Sequence, residues 1–533
     1  MFTDRLCISA TLTIGSTTHE VPGGTVRACT LRLDPWGFEG TLTFGILADQ
    51  EDDALIGPFT TQDLATIDLT VTGGLPTTST TPEALTVRAL VTDKAVGETS
   101  HSTPSGPKVW LREYTVHFAD APRVLWTQHR PLVLAAEQSV ADVLEAQVAG
   151  DIAFEATLDA ATEQRPHVFL PLGGQRASFY DLLAWYADTH AGVLTWDYAA
   201  GKLALTGAKP DGGSPSKLRS TEVAALSVRL PAVRRHAARV LNSYAESPAT
   251  VELAQEQAVA GISHDHVMRS PVPADADARQ TLEESRLGVR PAELEVRFST
   301  FPTVPWWPGT AAQLQGELYA SALLPQGEAW RVAHVSLEAE AADDLLERDW
   351  MTDGRRYKAE LTAVWEGKSD PVPRLPPYVS PRWPLHVEGK VVCEVGDEGD
   401  RTWSFEEDAD TSVQSYKVRV PLWDCVVKAP FQPIFLPGHV YAPAYRDSRV
   451  LLALHLHEAE IVQFLDWGAS VQMPLESQGN QVLFGKNGQD QTALSHAYVD
   501  NKPVFTVYRV KDSDTELLQM EEGIMVLQTK EET

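Results

Sequence analysis

Two histidine pairs, His264-Asp265-His266 and His455-Leu456-His457, are the first groupings whose spacing could do chemistry. An H-x-H on a strand puts both imidazoles on one face, which suits zinc when a third ligand converges. Spacing indicates no third ligand, and Glu458 does not open an H-E-x-x-H motif. Both pairs therefore read as ordinary strand or surface histidines, unless symmetry copies bring one histidine together from several chains. Residues 479–486 (GNQVLFGK) have the outline of a phosphate-cradling loop. Five residues separate the glycines instead of four, Asn487 stands where a Ser or Thr would ligate magnesium, and no helix follows. Strand and turn is the better reading there.

Between positions 394 and 410 lie eight acidic residues, Glu394, Asp397, Glu398, Asp400, Glu406, Glu407, Asp408 and Asp410, against a single Arg401. The order of a calcium loop is absent, so a solvated, self-repelling hairpin or loop is expected. Trp306-Trp307, held between Pro305 and Pro308, could form a sugar platform, although a packed anchor in a strand-terminal turn is the commoner use. No G-x-S-x-G or Rossmann glycine triplet occurs. Carboxylates are numerous, but nothing selects an acid/base pair. The reading is of a non-enzyme with no catalytic residue, no cofactor and no metal.

The elements that would carry these residues are set by a chain of 533 residues, 43% hydrophobic and 22% charged, with a net charge of −29. That length allows several domains with real cores. The negative field repels phosphate backbones and anionic lipid, so neither nucleic acid nor a stable membrane anchor is expected. No secretory signal is read in residues 1–10, and no apolar window is long enough to span a bilayer. Cys7, Cys29, Cys393 and Cys425 are too scattered for a disulfide framework and read as reduced, mostly buried thiols.

Residues 1–130 read as β-rich, with runs at 10–14, 40–46 and 85–91 punctuated by Gly and Pro. The character changes at Ser139, a good N-cap ahead of Val140, Val143, Leu144 and Val148. A second helix starts at Ser178, where Ser178 and Asp181 spell a capping box and Phe179, Leu182, Leu183 and Tyr186 share a face. Gly192 is the expected stop, followed by a small hairpin at 193–206. Strand-like runs return at 225–230, 294–301, 331–337 and 358–364. Six prolines between 367 and 384 mark a boundary. Short strands at 387–395, 415–420, 450–455 and 460–466 have the spacing of a small barrel. Asn487-Gly488 is a turn signal, and alternating runs close the chain at 503–510, 517–520 and 523–528.

This order of parts resembles the VgrG family of contractile-injection spike proteins, which includes type VI secretion spikes and fused phage tail hub-spike proteins. The resemblance is carried by SVADVLEAQV and by RPHVFLPLGGQRASFYDLLAWYADTHAGVLTWDYAAGKLALTG, within 139–207. GTAAQLQGELYASALLPQGEAWRVAHV (309–335) and YKVRVPLWD (416–424) agree with it, the latter with the strand opening the family's OB-fold barrel. There are departures: Ala191-Gly192 stands at the helix turn, Val-Ala-His departs in 309–335, and the family's long terminal β-helix is missing, since only 477–533 follows the barrel.

The resemblance implies a mainly β fold with an α+β hub: two barrel-like hub modules with a helical insert, an OB-like β-barrel and a short C-terminal trimeric β-spike. The modules fall at 1–130, 131–216, 217–370, 371–385 (Pro-rich linker), 386–476 and 477–533. It implies a structural homotrimer that caps a hexameric, Hcp-like tube, meets baseplate proteins, and carries a PAAR-like tip protein or secreted effectors for membrane puncture. Such a protein is assembled in the cytoplasm without a signal peptide and exported on contraction. The terminal strands, flat and apolar, would be exposed edges in one chain and buried among three. The expected spike contacts are Val504, Phe505, Val507, Tyr508, Leu517, Leu518, Met520, Ile524, Val526 and Leu527. A terminal hairpin folded back on its own barrel, a cell-wall glycan hydrolase, and an all-β carbohydrate-binding or adhesin protein remain as alternatives.

Overall fold

The computed structural model describes residues 1–48, 53–74, 83–101, 109–246, 248–253, 255–270, 272–290, 292–315, 329–342, 354–398, 402–409, 413–430, 443–466, 479–487, 489–500 and 502–531. The chain divides into two compact units. The first comprises Met1–Pro131, Ala141–Glu163 and Leu172–Pro381, and the second Leu132–Val140, Gln164–Pro171 and Arg382–Thr533.

In the first unit, strands β1 (Phe2–Ile14), β2 (Thr17–Val21), β3 (Val26–Asp34), β4 (Gly37–Ala48), β5 (Ala65–Gly73), β6 (Leu85–His101) and β7 (Val109–Ala119) come first. Alternation makes them strands: in β1 Leu6, Ile8, Ala10, Leu12 and Ile14 are buried while the residues between them face outward. Antiparallel pairing runs β1–β5–β6–β7–β4–β3. The strand Ala329–Ala341 pairs with β3, Arg355–Gly367 pairs with β1, and these two strands pair with each other. Eight strands thus close a ring, which removes its edges. Phe38, Phe44, Tyr114, Phe118 and Tyr357 are fully buried within this unit. The module read over 1–130 is completed by strands from 329–367.

The same two closing strands extend the sheet beyond the ring. Glu293–Phe298 pairs along Arg355–Gly367 and carries Val223–Arg229 outside it. On the other side Ala311–Leu314 pairs with Ala329–Ala341, and Ser216–Leu218 joins in parallel. A small sheet, Ala249–Leu253 / Ala237–Asn242 / Ser263–Met268, with the helix Pro273–Arg286, forms an insert.

The helical part of this unit centres on the helix Phe179–Thr189. Its start has the expected capping box: the Asp181 N–H donates to Ser178 Oγ at 3.2 Å, and the Ser178 N–H donates to Asp181 Oδ2 at 2.8 Å. At its end the left-handed φ of 52° falls on Ala191, and Gly192 N–H donates to Ala187 O. The hairpin Val193–Asp197 / Lys202–Thr206 follows. Trp126 packs edge-on against Phe154 and Phe179. The β3–β4 turn is held by the Tyr198 hydroxyl, which donates to Asp34 O and Gly37 O. Gly37 has φ +152°, and a Cβ there would lie 2.3 Å from the Asp120 carboxylate, so no other residue fits.

The second unit begins with a hairpin borrowed from the middle of the chain, Leu132–Ser139 with Gln164–Pro171. Its main sheet runs Glu406–Glu407, Gln414–Val420, Leu385–Val392, Arg449–Leu454, Ala459–Asp466, with Cys425–Pro430 on the free side of Gln414–Val420. Leu134 and Phe169 of the hairpin share one core with Val391, Tyr416, Val418 and Leu452. Trp423 Nε1 donates to Leu132 O and Trp383 Nε1 to Phe169 O, both at 3.2 Å. The unit ends in a five-stranded antiparallel meander: Gly479–Asn487, Asp490–Val499, Lys502–Lys511, Asp514–Glu521 and Ile524–Lys530. The Asn487 turn is present, with Asn487 Oδ1 accepting from Gln489 N and Asp490 N.

Candidate functional site

The terminal meander has two faces of different chemistry, and its register assigns every residue to one of them. Partners across a ladder point to the same side and neighbours along a strand to opposite sides. One row therefore reads Val482, Leu494, Val507, Leu518, Leu527 across all five strands. The next row on that face is His496, Phe505, Met520, Met525, and Arg509 and Glu516 pair beyond the apolar rows at 3.2 Å. Much of this face is open: Leu527 is 80% exposed, Met525 69% and Val482 41%.

The opposite face holds Leu483, Ala493, Tyr508, Leu517, Gln528 in one row and Ser495, Thr506, Gln519, Val526 in the next. It is more polar, and Ala493 on it is buried. The ten residues expected at the spike divide evenly. Phe505, Val507, Leu518, Met520 and Leu527 lie on the apolar face, whereas Val504, Tyr508, Leu517, Ile524 and Val526 lie on the other. The apolar face also takes Val482, Phe484, Leu494 and Met525, which are not among those ten. Their signal was the alternation inside 479–487 and 490–499, where Val482 and Phe484 flank Leu483 and register alone decides the face.

The other chemistry-bearing residues are mostly engaged in structure. Trp306 is 3% exposed and packs on Trp365 at 5.1 Å, while Trp307 stacks on Tyr198 at 5.0 Å. The pair is a packed anchor, which overturns its use as a sugar platform. His264 and His266 lie on Ser263–Met268 as expected, but His455 and His457 lie in the turn after Arg449–Leu454, where His455 N–H donates to Glu458 O. Among the described residues no three His, Cys, Asp or Glu side chains are placed to hold a metal ion. In the acidic run, Glu406 is held by Lys417 at 2.7 Å and Lys428 at 2.9 Å, which keep its carboxyl below the ordinary range. All four cysteines are free, and Cys29, Cys393 and Cys425 are buried. Residues 479–486 form strand, not a phosphate loop.

An open groove of about 1120 Å³ runs over β3, β4, β7 and Ala329–Ala341. Its polar side chains are turned to one another: His117 Nδ1 lies 2.8 Å from Thr41 Oγ1, Arg123 Nη2 2.8 Å from Glu39, and His334 Nδ1 2.9 Å from Asp34.

No protein-family model matches this chain, and no curated protein matches it by sequence. Solved structures do. A chain of the half-lidded Francisella PdpA–VgrG complex superposes with a TM-score of 0.73 at 11% identity, over 99% of this chain and 88% of that one. In the lidless PdpA–VgrG complex the TM-score is 0.72 at 12% identity, over 100% of this chain and 99% of that one. The lidded Francisella complex gives 0.71 at 12% identity, over 99% and 80%. At such identities the likeness speaks to fold, and it extends over the closed ring of unit one, the borrowed hairpin and the terminal meander alike. The resemblance read from the residues and the likeness in three dimensions converge on one fold, the one shared with the matched chains of the PdpA–VgrG complexes.

Proposed function

We propose that this chain is a non-enzymatic hub and spike of a contractile injection machine, working as a homotrimer. The observation that carries the reading is the apolar face of the terminal meander, five strands wide and open to water in one chain. A face of that kind is a liability for a solitary protein, and three copies turned inward about one axis would cover it with a closed symmetry. In this reading the barrels of unit one form the ring that caps a hexameric, Hcp-like tube and meets the baseplate. The small barrel is OB-like, and the meander is a short spike that carries a PAAR-like tip protein or effectors. Type VI secretion is the favoured machine, with assembly in the cytoplasm and export on contraction. Closed, edge-free β-structure suits a part that must resist local opening under force.

The test is the mass of the native particle. Three times the 58.4 kDa chain mass supports the reading. A monomer that cleaves peptidoglycan overturns it. Removal of residues 477–533 should weaken the trimer; a trimer of unchanged stability would refute the spike assignment.

A further inference from the structure

The insert formed by Ala237–Asn242, Ala249–Leu253, Ser263–Met268 and the helix Pro273–Arg286 has a small apolar core, Ala238, Leu253 and Leu287. What joins its sheet to its helix is polar. His236 lies at the start of Ala237–Asn242, and the parallel register brings Ser263–Met268 alongside, with Ala238 opposite His264 and Val240 opposite His266. The rings of His236 and His264 are 5.4 Å apart and those of His264 and His266 4.3 Å apart. From the helix, Arg279 Nη2 donates to His266 Nδ1 at 3.3 Å, and Glu283 Oε2 lies 3.2 Å from His266 Nε2. Glu283 is also held by Arg279 at 2.5 Å and Arg286 at 3.1 Å. Arg286 continues to Asp188 of the helix Phe179–Thr189 at 3.1 Å, and the Tyr378 hydroxyl donates to the same Asp188 oxygen at 2.6 Å. One polar chain therefore links the sheet, its helix, the neighbouring helix and the Pro-rich segment.

We propose that this insert is an acid-sensitive latch: it stays closed while His236 and His266 are neutral, and their protonation frees the helix Pro273–Arg286 from the sheet and from Asp188. The decisive atom is His266 Nδ1, which accepts from Arg279 only while unprotonated. An imidazolium there would point an N–H at a guanidinium. The charges facing the cluster sharpen the effect. Ala237–Asn242 and the residues before it bring Arg234 and Arg239, the helix brings Arg279, Arg286 and Glu283, and Ser263–Met268 brings Asp265. Asp265 is taken by Arg239 through two hydrogen bonds at 2.7 and 2.5 Å, and Glu252 of Ala249–Leu253 faces that same arginine. Glu283 offsets Arg279 and, together with Asp188, Arg286, so protons added at His236 and His266 meet carboxylates already paired with arginines.

Burial first, then neighbouring His264 and Arg234, hold His236 below the ordinary histidine value of 6.5. At His266 burial again leads; Glu283 opposes it, while Arg279, His264 and Arg286 add to it, and the net direction is down. The sign follows by linkage. Well above 6.5 neither form is protonated and closure is unaffected; as pH falls through 6.5 the open form takes up protons first, so closure weakens. Each such histidine favours opening by up to about tenfold per pH unit until its closed-form value is reached.

The experiment is hydrogen exchange on the full chain at about pH 7.5 and about pH 5.5, corrected for the intrinsic chemical rate. Peptides from the insert should lose protection by about tenfold or more at the lower pH, while peptides from β3 and β4 keep theirs. The triple variant His236→Gln, His264→Gln, His266→Gln should show little change between the two. Constant protection in the unaltered protein overturns the proposal, as does an equal loss in the triple variant. Because that variant could fold poorly, the imidazole proton resonances of the unaltered chain give a second reading. His236 and His266 titrating at or above 6.5 would overturn the latch. So would zinc protecting the insert at neutral pH in a way a chelator reverses, since the cluster would then be a metal site.

Discussion

Arg331 donates to a single carboxylate oxygen of Glu366 from both Nε and Nη2, at 3.0 and 2.9 Å, in a place where both side chains are about 95% buried. Lys209 reaches the same oxygen at 2.8 Å, and Arg374 takes the other at 3.1 Å and continues to Glu293. Arg290 ties Glu293 and Asp370 into the same cluster. The connector after Gly367, which its prolines mark as a linker, is thus fastened to unit one by charge. Removing one partner of a buried pair strands the others in low dielectric, at a cost of about 3–5 kcal/mol. Glu366→Gln should lower stability by that order in chemical denaturation and raise hydrogen exchange in residues 370–374. Burial pushes the Glu366 carboxyl up, but Lys209, Arg331 and Arg374 outweigh it and hold it below 4.5. Its contribution is therefore present above 4.5 and is lost only as pH falls through a still lower value.

Ser178→Ala should cost about 1 kcal/mol, because it removes the oxygen that accepts from the Asp181 N–H. Asp181→Ala removes the reciprocal bond to the Ser178 N–H and also an acceptor for Val379 N–H at 3.0 Å. It should therefore be the more damaging of the two. Thermal unfolding of both variants checks the order.

The capping box was legible because four consecutive residues carry all of it, and the helix Phe179–Thr189 needs nothing distant to start. The hairpin after Gly192 was legible for the same reason. Closure of the first barrel was not, because β3 finds its partner in Ala329–Ala341, and alternation says that a strand exists without naming its neighbour. The hairpin Leu132–Ser139 / Gln164–Pro171 reads as part of a helical segment, yet Leu134 and Phe169 are core residues of the second unit. The buried network carried a faint signal: Arg331 stands inside the apolar run 330–335, and Glu366 ends the run 363–365. At the terminal sheet, apolar residues were visible but not their division between faces, since that depends on registers such as Val507 opposite Leu518.

Asp120 gives an opposite pH signature. Its carboxylate is fully buried and accepts from Phe38 N–H at 3.0 Å and Arg123 N–H at 2.9 Å. Burial raises it from 3.8 to about 6, against those two hydrogen bonds and the Arg123 charge, which lower it. The folded protein holds this proton more tightly than the unfolded chain, so Asp120 supports folding most below 3.8 and loses that support as pH climbs to about 6. The span corresponds to about 3 kcal/mol. Asp120→Asn, which can accept at only one oxygen, should therefore be more harmful at low pH than at neutral pH. Urea unfolding of both proteins at the two pH values gives the difference; an equal penalty at both would contradict the assignment.

The faces of the terminal meander predict which substitutions break assembly. Val507 and Leu518 sit opposite each other in the middle of the five-strand apolar row, and Thr506 and Gln519 sit opposite each other on the reverse face. If three copies turn the apolar rows inward, Val507→Asp places three carboxylates in a dry core, where each unpaired charge costs several kcal/mol. Leu518→Asp does the same one strand away. Both should shift the particle from trimer towards monomer, with the barrels still folded by circular dichroism. Gln519→Asp, one residue along, should leave the mass unchanged, because its side chain points away from the axis. Leu527→Asp is the graded case: it lies at the open end of the row, and its effect should fall between the two. Light scattering of the four variants reads the order directly. Loss of the trimer with Gln519→Asp but not with Val507→Asp would reverse the inward face.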